Sequence, residues 1–188
     1  MVESKVVTTP PRSRRADILA AAEREFIAAG YAGGRIERIA ASAGVNKQLL
    51  FHYFASKDGL FTGAVGSLLG RLEPQPRVAD HPGEEIRLVL GAIQAAVASL
   101  SGIFAIVAEA TATARFPREA ALLIAAWRER QQGRLRAAVE EGQRRGHFRD
   151  DIDPSSVAAI GLSAALGVGA LGTGEPVGVL MADYCAWR

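Results

Sequence analysis

Lys47, Gln48, His52, Tyr53 and Lys57 crowd into one short stretch, with Arg35 a little ahead of them. Their chemistry is recognition rather than bond-making. A lysine can donate to guanine O6 and N7, a glutamine can pair with adenine N6 and N7, and a cation or hydroxyl can meet a phosphate oxygen. Catalytic sets are missing by comparison. His52, His81 and His147 make no HxxxH pair, and neither a nucleophile elbow nor a Gly-rich loop after a strand pattern occurs. Cys185 is the single cysteine, which rules out an intramolecular disulfide and most zinc sites, so no metal and no cofactor is expected.

The elements that must position these side chains lie between Ile36 and Lys57, IERIAASAGVNKQLLFHYFASK. Ile36, Ile39 and Ala40 fall at i, i+3, i+4, the spacing of one helix face. Ala43-Gly44-Val45 breaks that pattern, and Gly44 suits a turn because it takes a positive φ at little cost. Asn46 is the expected N-cap of a second helix. There Leu50, Tyr53 and Phe54 repeat the i, i+3, i+4 spacing, while Lys47, Gln48 and Phe51 gather on another side. Leu50 and Phe54 read as core, His52 fits either core or surface, and Phe51 and Tyr53 are expected to face outward. The unit is a helix-turn-helix whose second helix reads DNA.

This stretch resembles the TetR family of bacterial transcriptional regulators. The resemblance is carried by the segment just quoted, by RRADILAAAEREFIAAGY (Arg14 to Tyr31) before it and by SKDGL (Ser56 to Leu60) after it, roughly the first third of the chain. It implies a DNA-binding domain over residues 13–56, a helix from Lys57 to about Leu72 that joins it to the rest, and a ligand-binding and dimerisation domain over 57–188. It also implies that Tyr53 offers its hydroxyl to a phosphate. Three positions depart from the family pattern. Gly34 stands where a hydroxyl residue usually opens the first helix of the unit, so Gly34 is expected to cap weakly and Arg35 to supply charge instead. Leu49 replaces a small residue or threonine and can meet a thymine methyl; Phe51 replaces a tyrosine and loses one hydrogen bond.

Composition agrees with a DNA-reading head. The net charge of 188 residues is only +2, yet Arg12, Arg14, Arg15, Arg35, Arg38, Lys47 and Lys57 all lie in the first third. That clustering favours phosphate contact, and residues 1–12 read as a flexible basic arm. MVESKVVTTPPRSRR has no apolar run of a secretory signal, so a cytoplasmic protein is expected. Leu88–Ala108 and Pro154–Gly174 are uncharged runs long enough to span a membrane, but Ser, Gly, Ala and Gln dilute them and their apolar residues keep helical spacing; they read as core helices.

The first helix is expected from Ser13 to Ala29, with Ile18, Leu19, Ala22, Phe26 and Ile27 as its stripe and Gly30 ending it. Glu73 to Pro82 reads as a loop. Beyond it the pattern is helical throughout. Ile86, Leu90, Ile93, Val97 and Leu100 form one stripe, a helix is expected over Ile103–Arg115, and Pro117 opens another that carries Leu122, Leu123, Ala126, Trp127, Leu135 and Val139. Asp153-Pro154 starts the next, and Val177–Trp187 closes the chain. The fold class is all-α with about nine helices and no strand. Phe61, Leu68, Ile93, Phe104, Val107, Glu109 and Trp127 are candidate lining for a pocket, which the resemblance places in this half. Gly161, Ala164, Ala165 and Val168, with Leu180, Met181 and Tyr184, form a candidate homodimer seam. The expectation is a homodimeric repressor that leaves a palindromic double-stranded operator when a small apolar or amphipathic effector binds. An activator, or the same fold without ligand control, remains open, and a small helical enzyme is the least favoured.

Overall fold

The computed structural model describes residues 13–73, 80–99, 106, 109, 116–171 and 176–186. Eight helices run through them: α1 (Arg14–Gly33), α2 (Ile36–Ala43), α3 (Lys47–Phe54), α4 (Lys57–Arg71), α5 (Pro82–Ser99), α6 (Arg118–Arg144), α7 (Pro154–Leu171) and α8 (Val177–Cys185). Among the described residues the only β pairing is one isolated bridge, Phe148 with Ala186. The fold is all-α, as expected. The basic arm, most of the expected helix Ile103–Arg115 and most of the loop after Glu73 lie outside the described residues.

α1 is capped by Ser13, whose hydroxyl accepts from the Ala16 N–H at 3.3 Å. Ile18, Ala22 and Phe26 are buried on its inner face, with Leu19 and Ile27 packed beside them. Gly30 breaks the helical path at φ 66°, ψ 178°, a region open to glycine alone, but the helix resumes for one more turn instead of ending there. Gly34 follows, so tight against Phe26 that a Cβ would lie 2.6 Å from two ring atoms. The cap of α2 therefore falls on Arg35 and not on Gly34, and Arg35 makes no side-chain capping bond. Its backbone N–H donates to Glu25 Oε1 at 3.2 Å instead.

α2 closes as its sequence requires. Gly44 takes the left-handed conformation at φ 65°, ψ 36°, and the N–H groups of Gly44 and Val45 reach back to Ala41 and Ala40. α4 starts behind Ser56, whose hydroxyl accepts from Gly59 at 3.0 Å, and packs against both α1 and α6. Phe61 at its inner face meets Phe26 at 4.8 Å, Tyr31 at 5.0 Å and Phe116 at 5.2 Å between ring centroids. This aromatic cluster joins the first three helices to the rest, and edge-on geometry suits the ring quadrupoles.

α6 buries Ala120, Ile124, Trp127, Gln131, Leu135 and Val139, in steps of four and three. The expected members Leu122, Leu123 and Ala126 are exposed, because the phase of the helix is set by the bulk of Trp127 and not by every apolar residue in the run. Pro117 takes the cap position, one place ahead of the expected first turn. α7 begins at Pro154 behind Asp153, whose carboxylate accepts from the backbone and hydroxyl of Ser156 at 2.8 and 2.7 Å. Those bonds hold the Asp153 carboxyl below its usual pKa.

The small residues of α7 are used inside the chain. A Cβ at Gly161 would meet Leu90 at 3.1 Å, one at Gly169 would come within 2.7 Å of the Gln94 carbonyl, and Ala165 is wholly buried. Gly161 and Gly169 thus admit α5, and Gly161 and Ala165, expected in an outward seam, are buried within the single chain. No described helix is long and apolar enough to cross a membrane.

Candidate nucleic-acid interface

Two side chains anchor α3 and leave the rest of it outside. Leu50 is fully buried and Phe54 nearly so, while Lys47, Gln48, Phe51, His52 and Tyr53 are exposed and Leu49 is half-buried. Tyr53, which shares the sequence spacing of the core pair, is 41% exposed and belongs with the outward set. The start of α3 is fixed by Asn46, whose Oδ1 accepts from the Leu49 N–H at 2.8 Å. That cap holds Lys47 and Gln48 on the first turn, where side chains reach furthest from the helix. Arg35, at the head of α2, is exposed too.

The turn out of α3 is tight. Ala55 has φ 59°, and among the described residues it alone adopts a positive φ without being glycine. A Cβ at Gly59 would sit 2.3 Å from the Phe54 carbonyl oxygen, so α4 can begin this close only with glycine there. Lys57, in the first turn of α4, donates to the Ala32 carbonyl at 3.3 Å and lies 4.9 Å above the Tyr31 ring. It was expected to meet phosphate; in the protein alone it ties α4 to the end of α1, with two ammonium protons still to give. Beside it the Tyr31 hydroxyl donates to Asp58 at 2.5 Å, and this bond with burial pushes the phenol up to about 12.

Lys47 is ion-paired with Glu37 across the turn of the unit. The Lys47 hydrogen bond, then Glu37's own backbone and the nearby Arg35 charge, hold the Glu37 carboxyl below its usual pKa. Arg38 pairs with the nearly buried Glu25 at 3.3 Å, which already holds the Arg35 backbone, so that pair braces α2 against α1. Glu37 and the Tyr31–Asp58 bond were not read from the sequence. Carboxylates are common on helix first turns, and only the fold brings these two to their partners.

The candidate pocket residues divide. Phe61, Leu68, Ile93 and Trp127 are buried in the core. Phe104 and Val107 lie outside the described residues. Glu109 is turned toward α1 and accepts from the Tyr31 backbone N–H at 3.4 Å. Two surface clefts, of about 380 Å³ between α5, α7 and α8 and about 340 Å³ between α5 and α6, are lined by none of these seven residues. Among the described residues Trp127 Nε1, Gln131 Oε1 and Thr62 Oγ1 are buried without a hydrogen-bond partner. On α7 Ile160 is 62% exposed, and on α8 Leu180 and Tyr184 are each 54% exposed, with Val179 also at the surface. Ala164, Val168 and Met181 are half-buried there. Ile160 was not read from the sequence as part of this surface, yet it is the most exposed of these side chains.

Comparison with known proteins bears on this arrangement. The family model for bacterial regulatory proteins of the tetR family matches residues 18–64. The HTH-type transcriptional repressor SCO4008 of Streptomyces coelicolor is 35% identical over 144 residues, 76% of this chain and 71% of that protein. The HTH-type transcriptional repressor NicS of Pseudomonas putida is 30% identical over 143 residues, 73% of this chain and 67% of that one. Among solved structures, a TetR-like regulator from Rhodococcus sp. RHA1 has a TM-score of 0.73 at 20% identity, covering 94% of this chain and 96% of that chain. AibR, crystallised with isovaleryl coenzyme A and operator DNA, has a TM-score of 0.70 at 22% identity, covering 91% and 95%.

Proposed function

Because this chain belongs to the tetR family of bacterial regulatory proteins, we propose that it works as a homodimeric repressor, leaving a palindromic operator when a small amphipathic effector binds. It is a DNA-binding transcriptional regulator and not an enzyme. The observation that carries the finer reading is the division of α3, with Leu50 and Phe54 locked inside and Lys47, Gln48, Phe51, His52 and Tyr53 outside. One such head buries little surface on DNA; two held about 34 Å apart meet successive major grooves. The exposed face of Ile160, Leu180 and Tyr184 is where a second copy would sit, since an apolar patch left in water is costly. Residues 13–56 would then be the reading head, and residues 57–188 the effector and dimer half.

Support for an effector comes from the unpartnered polar atoms of Trp127, Gln131 and Thr62, which a ligand carrying both donors and acceptors would satisfy. Phe61 links α4 to α1 and to Phe116, so its repacking on ligand binding would tilt α4 and separate the two heads. Ligand and operator then compete through the populations of two conformations.

The test is footprinting on the protein's own upstream intergenic DNA, with a salt titration and, in parallel, selection from random duplexes. A protected palindrome whose affinity falls steeply with salt is the expected result. Failure of both routes at micromolar protein would overturn the reading.

A further inference from the structure

Glu37 is the one acidic residue between Ile36 and Phe54, and it stands among the cations of the head. Its side chain is 63% exposed and that of its partner Lys47 is 53% exposed, so the pair lies at the surface and not in the core. Held in water, such a pair adds little to stability. A carboxylate there also repels every phosphate that approaches. Its place in the first turn of α2 suits the helix dipole, but affinity for a polyanion does not explain a carboxylate at this point of the head.

What the pair does change is where the Lys47 ammonium can go. In contact with random DNA, Lys47 gains a phosphate only by bringing the Glu37 carboxylate up against that phosphate or by leaving Glu37 unpaired beside the polyanion, and either arrangement is repulsive. At a cognate site the pair need not break. The ammonium has three N–H groups, so it can keep Glu37 and still donate to guanine O6 or N7, while the second carboxylate oxygen stays free to accept from a cytosine N4 amino group. The Lys47 hydrogen bond first, with a smaller pull from the Arg35 charge, keeps the Glu37 carboxylate ionised. Resting on the DNA-reading function proposed above, we infer that Glu37 is a specificity-determining residue, which withholds Lys47 from phosphates and so makes it read bases. It penalises the wrong sites more than it improves the right one.

The experiment compares the full chain with Glu37→Gln, Lys47→Ala and the double variant, on a selected cognate duplex and on a random duplex across a salt series. Both side chains are exposed, so unchanged melting serves as the control for folding. Glu37→Gln should bind random DNA about fivefold more tightly, the size of one close charge repulsion relieved in water. Its salt slope on that duplex should steepen by about 0.9, as for one added phosphate contact. Cognate affinity should change less, so the ratio between the two falls. In the Lys47→Ala background the same substitution should leave that ratio unchanged. An equal gain on both duplexes, or a fall in the ratio that persists without Lys47, would overturn the inference. If the wild-type chain selects no site at all, the regulator reading itself has failed, and that outcome is distinct from either.

Discussion

Among the described residues, two of the surfaces that expose large apolar side chains, one on α3 and one on α7 and α8, differ in what surrounds them. On α3, Phe51 and Tyr53 alternate with Lys47, Gln48 and His52, so each ring has a donor or a charge beside it. On α7 and α8, Ile160, Leu180 and Tyr184 are just as exposed, but neither helix carries a charge apart from Asp183. The first surface is suited to stacking and hydrogen bonding against a polyanion, because its rings stay solvated at their edges. On the second, Tyr184 has the Arg149 guanidinium 5.8 Å from its ring centre. Ile160 and Leu180 there gain by burial, and in the proposed homodimer a second copy of the same face would cover them. Exposure alone therefore says little about a partner. The polarity between the exposed rings says more.

The sharpest way to break this contrast is to charge the apolar face. Leu180→Glu should leave the fold intact, since the side chain is already 54% exposed, but should yield monomers in sedimentation. Operator affinity should then fall by about 100-fold or more, because the two heads no longer bind as one. A dimer that survives this change would place the seam elsewhere. On the polar surface the effects are smaller and base-specific. Gln48→Ala should cost about 1–3 kcal/mol of discrimination at one base pair, read from a set of single-substituted duplexes, with other positions unaffected. Lys57→Ala should weaken all duplexes alike and flatten the salt slope by about 0.9. Loss confined to one base pair would move Lys57 into the reading set.

The least effect is expected at the hinge between the two halves. Tyr31 has its phenol raised from 10.0 to about 12 by Asp58, so the folded protein holds that proton more tightly than the unfolded chain. The stability this contributes is present below pH 10 and is lost as pH climbs through about 12. Tyr31→Phe should melt slightly lower than the parent at neutral pH, with the gap closing over that alkaline range. A gap that is constant with pH would show that the bond to Asp58 is not its source.

Much of the head was legible in the sequence, for a local reason. Gly44, Asn46 and Ser56 act on N–H and C=O groups within five residues, so their roles follow from residue type and spacing. Leu50 and Phe54 followed from helical period. Gly34 did not, because the stretch offers two cap positions, and only the contact with Phe26 assigns glycine to one and Arg35 to the other. Legibility fell in the second half. Runs such as Pro154–Leu171 are apolar or small on every side, so their period marks no face. Gly161 and Gly169 went to α5, and Ile160 to the surface, on a rotation that no single-helix pattern contains.

By itself, then, the sequence determined most of the described helices, the caps at Ser13, Asn46, Ser56 and Asp153, the helix-turn-helix and the family, because each depends on short-range hydrogen bonding or on a dense local motif. Tertiary structure decided which carboxylate meets which donor: Glu37 with Lys47, Glu25 with Arg38, Glu109 with the Tyr31 backbone N–H. It also decided which faces of α6 and α7 turn inward. Those outcomes depend on pairings between residues far apart in the chain. Burial energy is non-directional, so several rotations of an all-apolar helix satisfy it, and close packing against one particular neighbour selects among them.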